Sequence, residues 1–210
     1  MMRGTRRMFN RQTRSAIVAL TAAFLLAGCV SFGAKPPEQL LALSAAQRVA
    51  PGRLLTGAQG PSLTVADPEA PKMLDTVRVP VQLSPTSVAY VTKVQWSDTP
   101  RHLFQKLLAE TISATSNRIV LDPGQYAGDA GQRLMGELVA FGIDAPGNSA
   151  VVTYDAILTK GSGTVIARQR FTASVPVGAK IEAGTIGAPL NAAANKVAAD
   201  VAAWLATQPG

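Results

Sequence analysis

The single cysteine of this chain, Cys29, ends a basic and then apolar N-terminal segment, and this feature constrains the fold most. Five arginines precede an apolar run over residues 16–26. A basic region, a short apolar region and small residues at the cut are typical of a secretory signal peptide. The residues Leu26-Ala27-Gly28-Cys29 form a lipobox, so we predict cleavage between Gly28 and Cys29 and acylation of the Cys29 thiol.

The predicted cleavage defines the domain organisation. We assign residues 1–28 to a lipoprotein signal peptide, 29–37 to a lipidated tether and 38–208 to one folded domain. A domain of this length can bury a sizeable core. Because the only thiol is committed to lipid, the domain cannot form a disulfide even in an oxidising compartment. Its stability must therefore come from packing.

Two other interpretations of this N-terminal segment were weighed. An uncleaved membrane anchor is disfavoured, because the apolar run is shorter than the roughly 20 residues of a spanning helix. A buried cysteine in a core helix is the second. The stretch Thr5-Arg6-Arg7-Met8-Phe9-Asn10-Arg11 resembles a twin-arginine export signal, although the ordinary secretion route stays open. Either export route ends in the bacterial periplasm.

The net charge of +7 must be recounted for the mature chain. The predicted signal peptide contains five of the twenty basic residues and none of the thirteen acidic ones, which leaves residues 29–210 with a net charge of +2. A strongly basic surface is the electrostatic requirement for nucleic-acid binding. We therefore predict no nucleic-acid partner.

Alternating apolar and polar residues predict short strands in the first half of the domain. We expect them at Leu40–Leu43, Leu63–Val65, Val77–Leu83, Val88–Trp96 and Ile119–Leu121. Pro80 cannot donate a ladder hydrogen bond, which predicts an edge position or a bulge for its strand. Loops are expected around Leu63–Val65.

Two amphipathic helices are predicted. Thr99 is the expected N-cap and Pro100 the first residue of a helix ending near Thr115, with Gln105 on its polar side. Because strands flank this helix, we expect a right-handed parallel crossover into Ile119–Leu121. An alanine-rich helix is predicted over Ala188–Thr207.

Three strands between these helices predict an antiparallel meander. They are Arg133–Asp144, Ala150–Thr159 and Thr164–Ala173, with a hairpin turn at residues 160–163. One face of the first strand is expected to contain Met135, Val139, Phe141 and Ile143, and one face of the second Val152, Tyr154, Ala156 and Leu158. The predicted fold class is α/β (an α+β mixture): a single domain with a mixed, largely antiparallel sheet and two main helices.

The sequence offers no catalytic constellation. His102 is the only histidine and falls on the polar side of its helix, where we expect it to be solvated. Asp67, Glu69 and Asp122 lie in predicted turns, where exposed carboxylates are usual. One histidine and one acylated cysteine cannot supply the usual zinc ligands. We predict no enzyme activity, metal or cofactor.

The two tryptophans, Trp96 and Trp204, each continue an apolar stripe of their element. This pattern favours core packing over an exposed aromatic binding patch.

The order of elements and several local sequences resemble the ABC-type transport auxiliary lipoprotein family (PqiC-like). The similar features are the lipobox, Val77–Leu83, Val88–Trp96 with the following Leu103, Phe104, Leu107 and Leu108, Leu134–Phe141, Arg170-Phe171 with Pro176, and Ala203-Trp204-Leu205. The Gly/Pro-rich stretch over residues 51–71 departs from the family pattern. The resemblance implies a domain akin to the N-terminal domain of TolB.

The resemblance also implies a non-enzymatic lipoprotein that serves an ABC-linked envelope transport system. Its partners would be the membrane, through acylated Cys29, and a periplasmic ABC-transporter or MCE (mammalian cell entry) subunit that moves lipids or other apolar molecules. Val30 and Ser31 follow Cys29 where an Asp would signal inner-membrane retention, so we expect the periplasmic face of the outer membrane.

Two alternative functions stay open. A lipid carrier would enclose an acyl chain in a cavity lined by residues such as Phe104, Leu108 and Phe141. A structural partner of peptidoglycan machinery rests on analogy of fold alone.

The lipidation of Cys29 is directly testable. In Cys29→Ala the thiol is missing, so we expect no incorporation of labelled palmitate and a shift of the protein from the membrane to the soluble periplasmic fraction. Ser31→Ala is the matched control and should label normally. Equal labelling of Cys29→Ala and the wild type would contradict the prediction.

Overall fold

The computed structural model describes residues 39–54, 62–116, 118–123 and 131–209. In chain order the strands and helices are β1 (Gln39–Leu41), β2 (Leu63–Val65), β3 (Pro80–Ser84), β4 (Ser87–Tyr90), β5 (Val94–Trp96), α1 (Pro100–Thr115), β6 (Val120–Leu121), β7 (Gln132–Asp144), β8 (Ser149–Lys160), β9 (Val165–Pro176) and α2 (Ala183–Ala206). The predicted signal peptide and tether lie outside the described residues.

The strands β7, β8 and β9 form the predicted antiparallel meander, which is one side of a seven-stranded mixed sheet with β9 at its edge. The second edge of β7 is shared by parallel pairs with β2 and β3, and β6 extends the sheet beyond β2. Between β2 and β3, Glu69 bridges to Glu137. The strands β1 and β5 form a separate parallel pair.

Both helices contact the sheet, and the core between them contains a chain of aromatic rings. The ring centroids of Trp96 and Phe141 are 5.3 Å apart, and those of Phe104 and Tyr154 are also 5.3 Å apart, with edge-to-face geometry in both pairs. Such pairs add specific geometry to hydrophobic burial. The predicted mixed α/β class, with two helices and a largely antiparallel sheet, is confirmed.

The sequence predicts an edge position or a bulge for the Pro80 strand; the edge position is wrong, but the register with β4 does shift between Gln82 and Ser84. The strand, β3, lies between β4 and β7, and Pro80 is the first residue of that strand. Proline is tolerated there because the ladder has only begun. The preceding stretch over residues 76–79 is not a strand, so the predicted start at Val77 is also wrong.

The single strand predicted over Val88–Trp96 is divided into β4 and β5. Lys93 adopts a φ of 65° just before β5, which breaks the extended conformation. The two halves enter different sheets, since β4 pairs with β3 and β5 pairs with β1.

The predicted crossover from β5 through α1 to the next strand is also wrong. The strands on either side of α1 belong to different sheets, because β6 pairs in parallel with β2. The chain order of strand, helix and strand was correct, but the pairing depends on tertiary contacts that periodicity does not encode.

The face predicted for β7 is correct at one end only. A register shift between Leu138 and Ala140 reverses the alternation, so Leu134 and Leu138 are buried on the N-terminal side. Beyond the shift, Phe141 and Ile143 are buried as predicted, whereas Met135 is exposed. An extra residue in one strand has this effect because side chains alternate with a period of two.

The helix α1 begins at Pro100 and ends at Thr115 as predicted, but the Thr99 side chain makes no cap hydrogen bond. Gln105, assigned to the polar side, is buried and donates its amide to the Val65 carbonyl at 3.0 Å. This bond satisfies a polar group that would otherwise be costly to bury.

The helix α2 begins at Ala183, earlier than the predicted Ala188. A reciprocal capping arrangement explains the earlier start, because the Glu182 N–H donates to Thr185 Oγ1 at 3.2 Å. Pro189 therefore lies inside the helix.

Gly136 allows β7 and β8 to approach closely, and its replacement should be costly. A Cβ atom at Gly136 would lie 1.8 Å from the Asp155 carbonyl oxygen. We expect Gly136→Ala to lower the free energy of unfolding by about 2–4 kcal/mol, measured by urea denaturation. Gly178→Ala, where nothing lies within 4 Å, is the control and should change stability little. Equal stability of the two variants would contradict this account.

Candidate functional site

The predicted lipid attachment site, Cys29, and the cleavage residue Gly28 lie outside the described residues, so lipidation stays a prediction. The first described element downstream is β1, where Gln39 pairs with Val94 and Leu41 with Trp96. The chain therefore enters the domain at the paired β1 and β5.

Beyond β1 the chain crosses both helices and is held by polar side chains. The Asn191 and Asn195 side-chain oxygens accept the N–H groups of Ser44 and Ala46 at 2.8 and 2.7 Å. The Glu110 carboxylate accepts the Val49 N–H at 2.8 Å. Residues 44–49 thus lie against α1 and α2.

The end of α1 is also bound by this segment. The Arg53 guanidinium donates to the carbonyl oxygens of Ala114 and Ser116 at 2.7 and 3.1 Å. A cation is favourable at this position, because the last carbonyls of a helix carry partial negative charge.

Two of the candidate catalytic residues, His102 and Asp67, each lie against a polar side chain. The His102 Nδ1 lies 3.0 Å from an Asp98 carboxylate oxygen, and both side chains are about two-fifths exposed, at 42% and 40%. Asp67 accepts a hydrogen bond from Arg101 at 3.2 Å. Within the described ranges, no group of three or more His, Cys, Asp and Glu residues could hold a metal ion.

The other two candidate catalytic carboxylates, those of Glu69 and Asp122, belong to other parts of the fold. Glu69 contributes its backbone to the edge of β7, where its N–H donates to the Gly136 carbonyl at 2.8 Å. Asp122 follows β6.

Both tryptophans serve the core, as predicted. Trp96 is buried, and Trp204 is half-buried with its ring 5.6 Å from that of Phe171.

The Tyr154 hydroxyl is buried without a hydrogen-bond partner among the described residues, and this desolvation raises the pKa of Tyr154.

The residues proposed to line a lipid cavity are packed together instead. Phe104, Leu108 and Phe141 are all buried, and the rings of Phe104 and Phe141 lie 6.2 Å apart. An open groove of about 590 Å³ lies elsewhere, beside β4 and the start of α2. Its apolar lining is Val81, Leu83, Ala89, Val91, Ala145, Ile181 and Ala183.

On the sheet face opposite the buried Tyr154, a charged cluster joins β8 and β9. The Asp155 carboxylate accepts two hydrogen bonds from Arg170, at 2.5 and 2.7 Å, and one from Arg168 at 3.3 Å. The Asp155 side chain is only 8% exposed, whereas those of Arg168 and Arg170 are 66% and 62% exposed. The hydrogen bonds from Arg170 hold the pKa of Asp155 below its ordinary value, although burial acts in the opposite direction.

Sequence reasoning missed this cluster, although a signal was present. Counting outward from the predicted hairpin turn at residues 160–163 would have placed Asp155 opposite Arg168, and the register shift between Leu158 and Thr159 makes Arg170 its observed partner. A charge pair at facing positions of two adjacent strands stabilises their pairing.

Comparison with known proteins gives this domain relatives. A family model described as the ABC-type transport auxiliary lipoprotein component matches residues 41–202. The domain is similar to protein XCC0632 from Xanthomonas campestris, with 17% identity, a TM-score of 0.67 and coverage of 79% of this chain and 93% of that chain. A second solved structure, an uncharacterized protein, has 15% identity and a TM-score of 0.63, with coverage of 80% of this chain and 99% of that chain. These two similarities confirm the fold.

The comparison with curated proteins finds no match. In the described part of the chain, neither helix has the length and apolar character that crossing a membrane requires.

The Asp155 cluster should make stability depend on pH. Because the folded-state pKa of Asp155 is depressed, its contribution is present above the unfolded-state pKa and is lost as the pH falls through the folded value. We expect the urea midpoint of the wild type to fall more steeply than that of Asp155→Asn as the pH drops below about 4. Parallel profiles for the two proteins would contradict this assignment.

Proposed function

Since this chain belongs to the family of ABC-type transport auxiliary lipoprotein components, we propose that it is the outer-membrane accessory subunit of an ABC-linked transport system. The family match carries the proposal, because it spans residues 41–202 and so extends from β1 into α2. It also confirms the resemblance found in the sequence. Family membership implies association with an ABC transport system.

In this proposal the acylated Cys29 anchors the domain to the periplasmic face of the outer membrane. The domain docks on a periplasmic subunit of the transporter, for which an MCE protein is the proposed candidate, and the cargo is a lipid or another apolar molecule. The role is binding rather than chemistry. Its physical support is that Asp67 is paired with Arg101 and that His102 lies against Asp98, as side chains on the surface of a folded domain do.

The partner assignment can be tested in membranes. A tagged full-length lipoprotein is crosslinked in cells and purified in detergent, and the recovered proteins are identified by mass spectrometry. We expect a permease, ATPase or MCE subunit of one transport system to be enriched, and Cys29→Ala to lose that enrichment because it no longer reaches the membrane. Recovery of no transport subunit with the wild-type protein would overturn the proposal.

The open groove beside β4 favours a second candidate function, that of a lipid carrier. Its volume of about 590 Å³ and the aliphatic side chains in its lining suit an acyl chain. Tyr90, Thr92, Lys93 and Glu182 line the same groove and could contact the polar end of such a ligand. Leu83 in this lining is 49% exposed, so apolar surface is available at the groove.

Native mass spectrometry separates the two candidates. If the groove carries lipid, the purified lipoprotein should retain a noncovalent lipid, and Leu83→Glu should remove it by placing a charge among apolar side chains. Leu40→Glu is the matched control, because Leu40 is 61% exposed and does not line the groove. Absence of bound lipid in the wild type would leave docking as the function.

A further inference from the structure

The strand β9 presents a long unpaired edge. It pairs with β8 from Val165 to Pro176, and no other described strand pairs with it. Exposed edges of this length are a hazard for proteins, because their free N–H and C=O groups are a template for another strand.

The hydrogen-bond pattern shows which backbone N–H and C=O groups of β9 point away from β8. The Val177 N–H donates to the Asn148 carbonyl at 3.0 Å, directly beyond the pair of Ser149 and Pro176. Since hydrogen-bonded and non-bonded pairs alternate along an antiparallel ladder, the odd-numbered residues of this stretch bond to β8. The N–H and C=O groups of the even-numbered residues 168–174 therefore point away from the sheet.

The even-numbered residues of β9 include the two arginines of the Asp155 cluster. Arg170 is directly opposite Asp155 and is held by two hydrogen bonds, while Arg168 reaches the same carboxylate. One carboxylate thus orients two guanidinium groups. Glu137, opposite Asp155 in β7, adds a second negative charge on the inner strands, whereas the only charged residues of β9 itself are these two arginines. Two-thirds of each arginine side chain is exposed, at 66% and 62%, so both can contact a further acidic group.

The same arginines disfavour one register in which two copies of this strand could pair. An antiparallel pair of β9 strands centred on Gln169 would place Arg168 opposite Arg170 twice. Like charges at facing positions destabilise a strand pair. Charge complementarity therefore favours a strand of opposite charge from a different protein.

We propose that the outer edge of β9 is a docking site for an extended acidic segment of a partner protein. The incoming strand forms backbone hydrogen bonds to residues 168–174 of β9 and places two acidic side chains, two positions apart, against Arg168 and Arg170. Strand addition of this kind takes its affinity from the backbone and its specificity from alternate side chains. The proposal rests on the proposed function, for which it supplies the contact surface.

A defined peptide tests the site without requiring the transporter. The probe is a short synthetic strand that alternates valine with polar residues, carries two glutamates two positions apart and has a benzophenone at one end. Its matched control has lysines in place of the glutamates. Each peptide is photo-crosslinked to the purified full-length lipoprotein in detergent, and the labelled residues are mapped by mass spectrometry.

We expect the glutamate peptide to label residues 165–176 at least about tenfold more than the lysine peptide, because each acidic group gains a charge-assisted hydrogen bond. Added salt should reduce this difference. In the variant D155N/R168Q/R170Q the difference should disappear, whereas K72E/K180E, which reverses two exposed lysines outside β9, should retain it. Circular dichroism must first show that both variants are folded.

Equal labelling by the two peptides, or labelling concentrated outside β9, would overturn the docking site. Sedimentation that shows a dimer of the wild type, made through β9 and excluding the peptide, would overturn it as well. The proposed function fails by a different result, which is the absence of any transport subunit after crosslinking in cells. If subunits are recovered and D155N/R168Q/R170Q recovers them equally well, only the docking site is wrong.

Discussion

The pairing of β7 with β8 is the interaction on which the rest of this domain depends. It extends over twelve facing residue pairs, from Gln132 and Lys160 to Asp144 and Ser149. The helices α1 and α2 pack on one face of this strand pair, where Phe141 and Tyr154 are part of the core. The other edge of β7 pairs with β2, Glu69 and β3. These segments are too short to form a sheet by themselves.

The aromatic chain connects this pair to the helices. Phe104 of α1 contacts both Phe141 and Tyr154, one from each strand, and Trp96 contacts Phe141 from the far side. With no disulfide among its described residues, the domain depends on such packing and on the length of the central ladder. The lipid-carrier alternative required space where these rings meet, whereas the open groove lies beside β4.

Local patterns in the sequence predicted most elements, because strands and helices leave periodic signatures. The meander and the start of α1 at Pro100 followed from alternation and from proline chemistry. What could not be predicted depends on contacts between distant residues: Gln105 can be buried because the Val65 carbonyl accepts a hydrogen bond from its side-chain amide. The reversal at Leu138 depends on one extra residue in β7, which alternation alone cannot locate.

The two candidate sites likewise differ in whether a local pattern of the sequence could predict them. Cys29 follows from a local motif, whereas the Asp155 cluster needed the register between β8 and β9.

The division of the β7 edge among three short partners has a consequence for variation among relatives of this protein. Each contact has its own register, made at residues 132–134, at Glu137 and at residues 143–144. In one long continuous partner strand, an insertion would shift the register of every residue pair beyond it. Here the connections between the contacts can change length while the central ladder is unaffected. An insertion at an exposed position between two of these contacts would therefore leave the register of each contact unchanged.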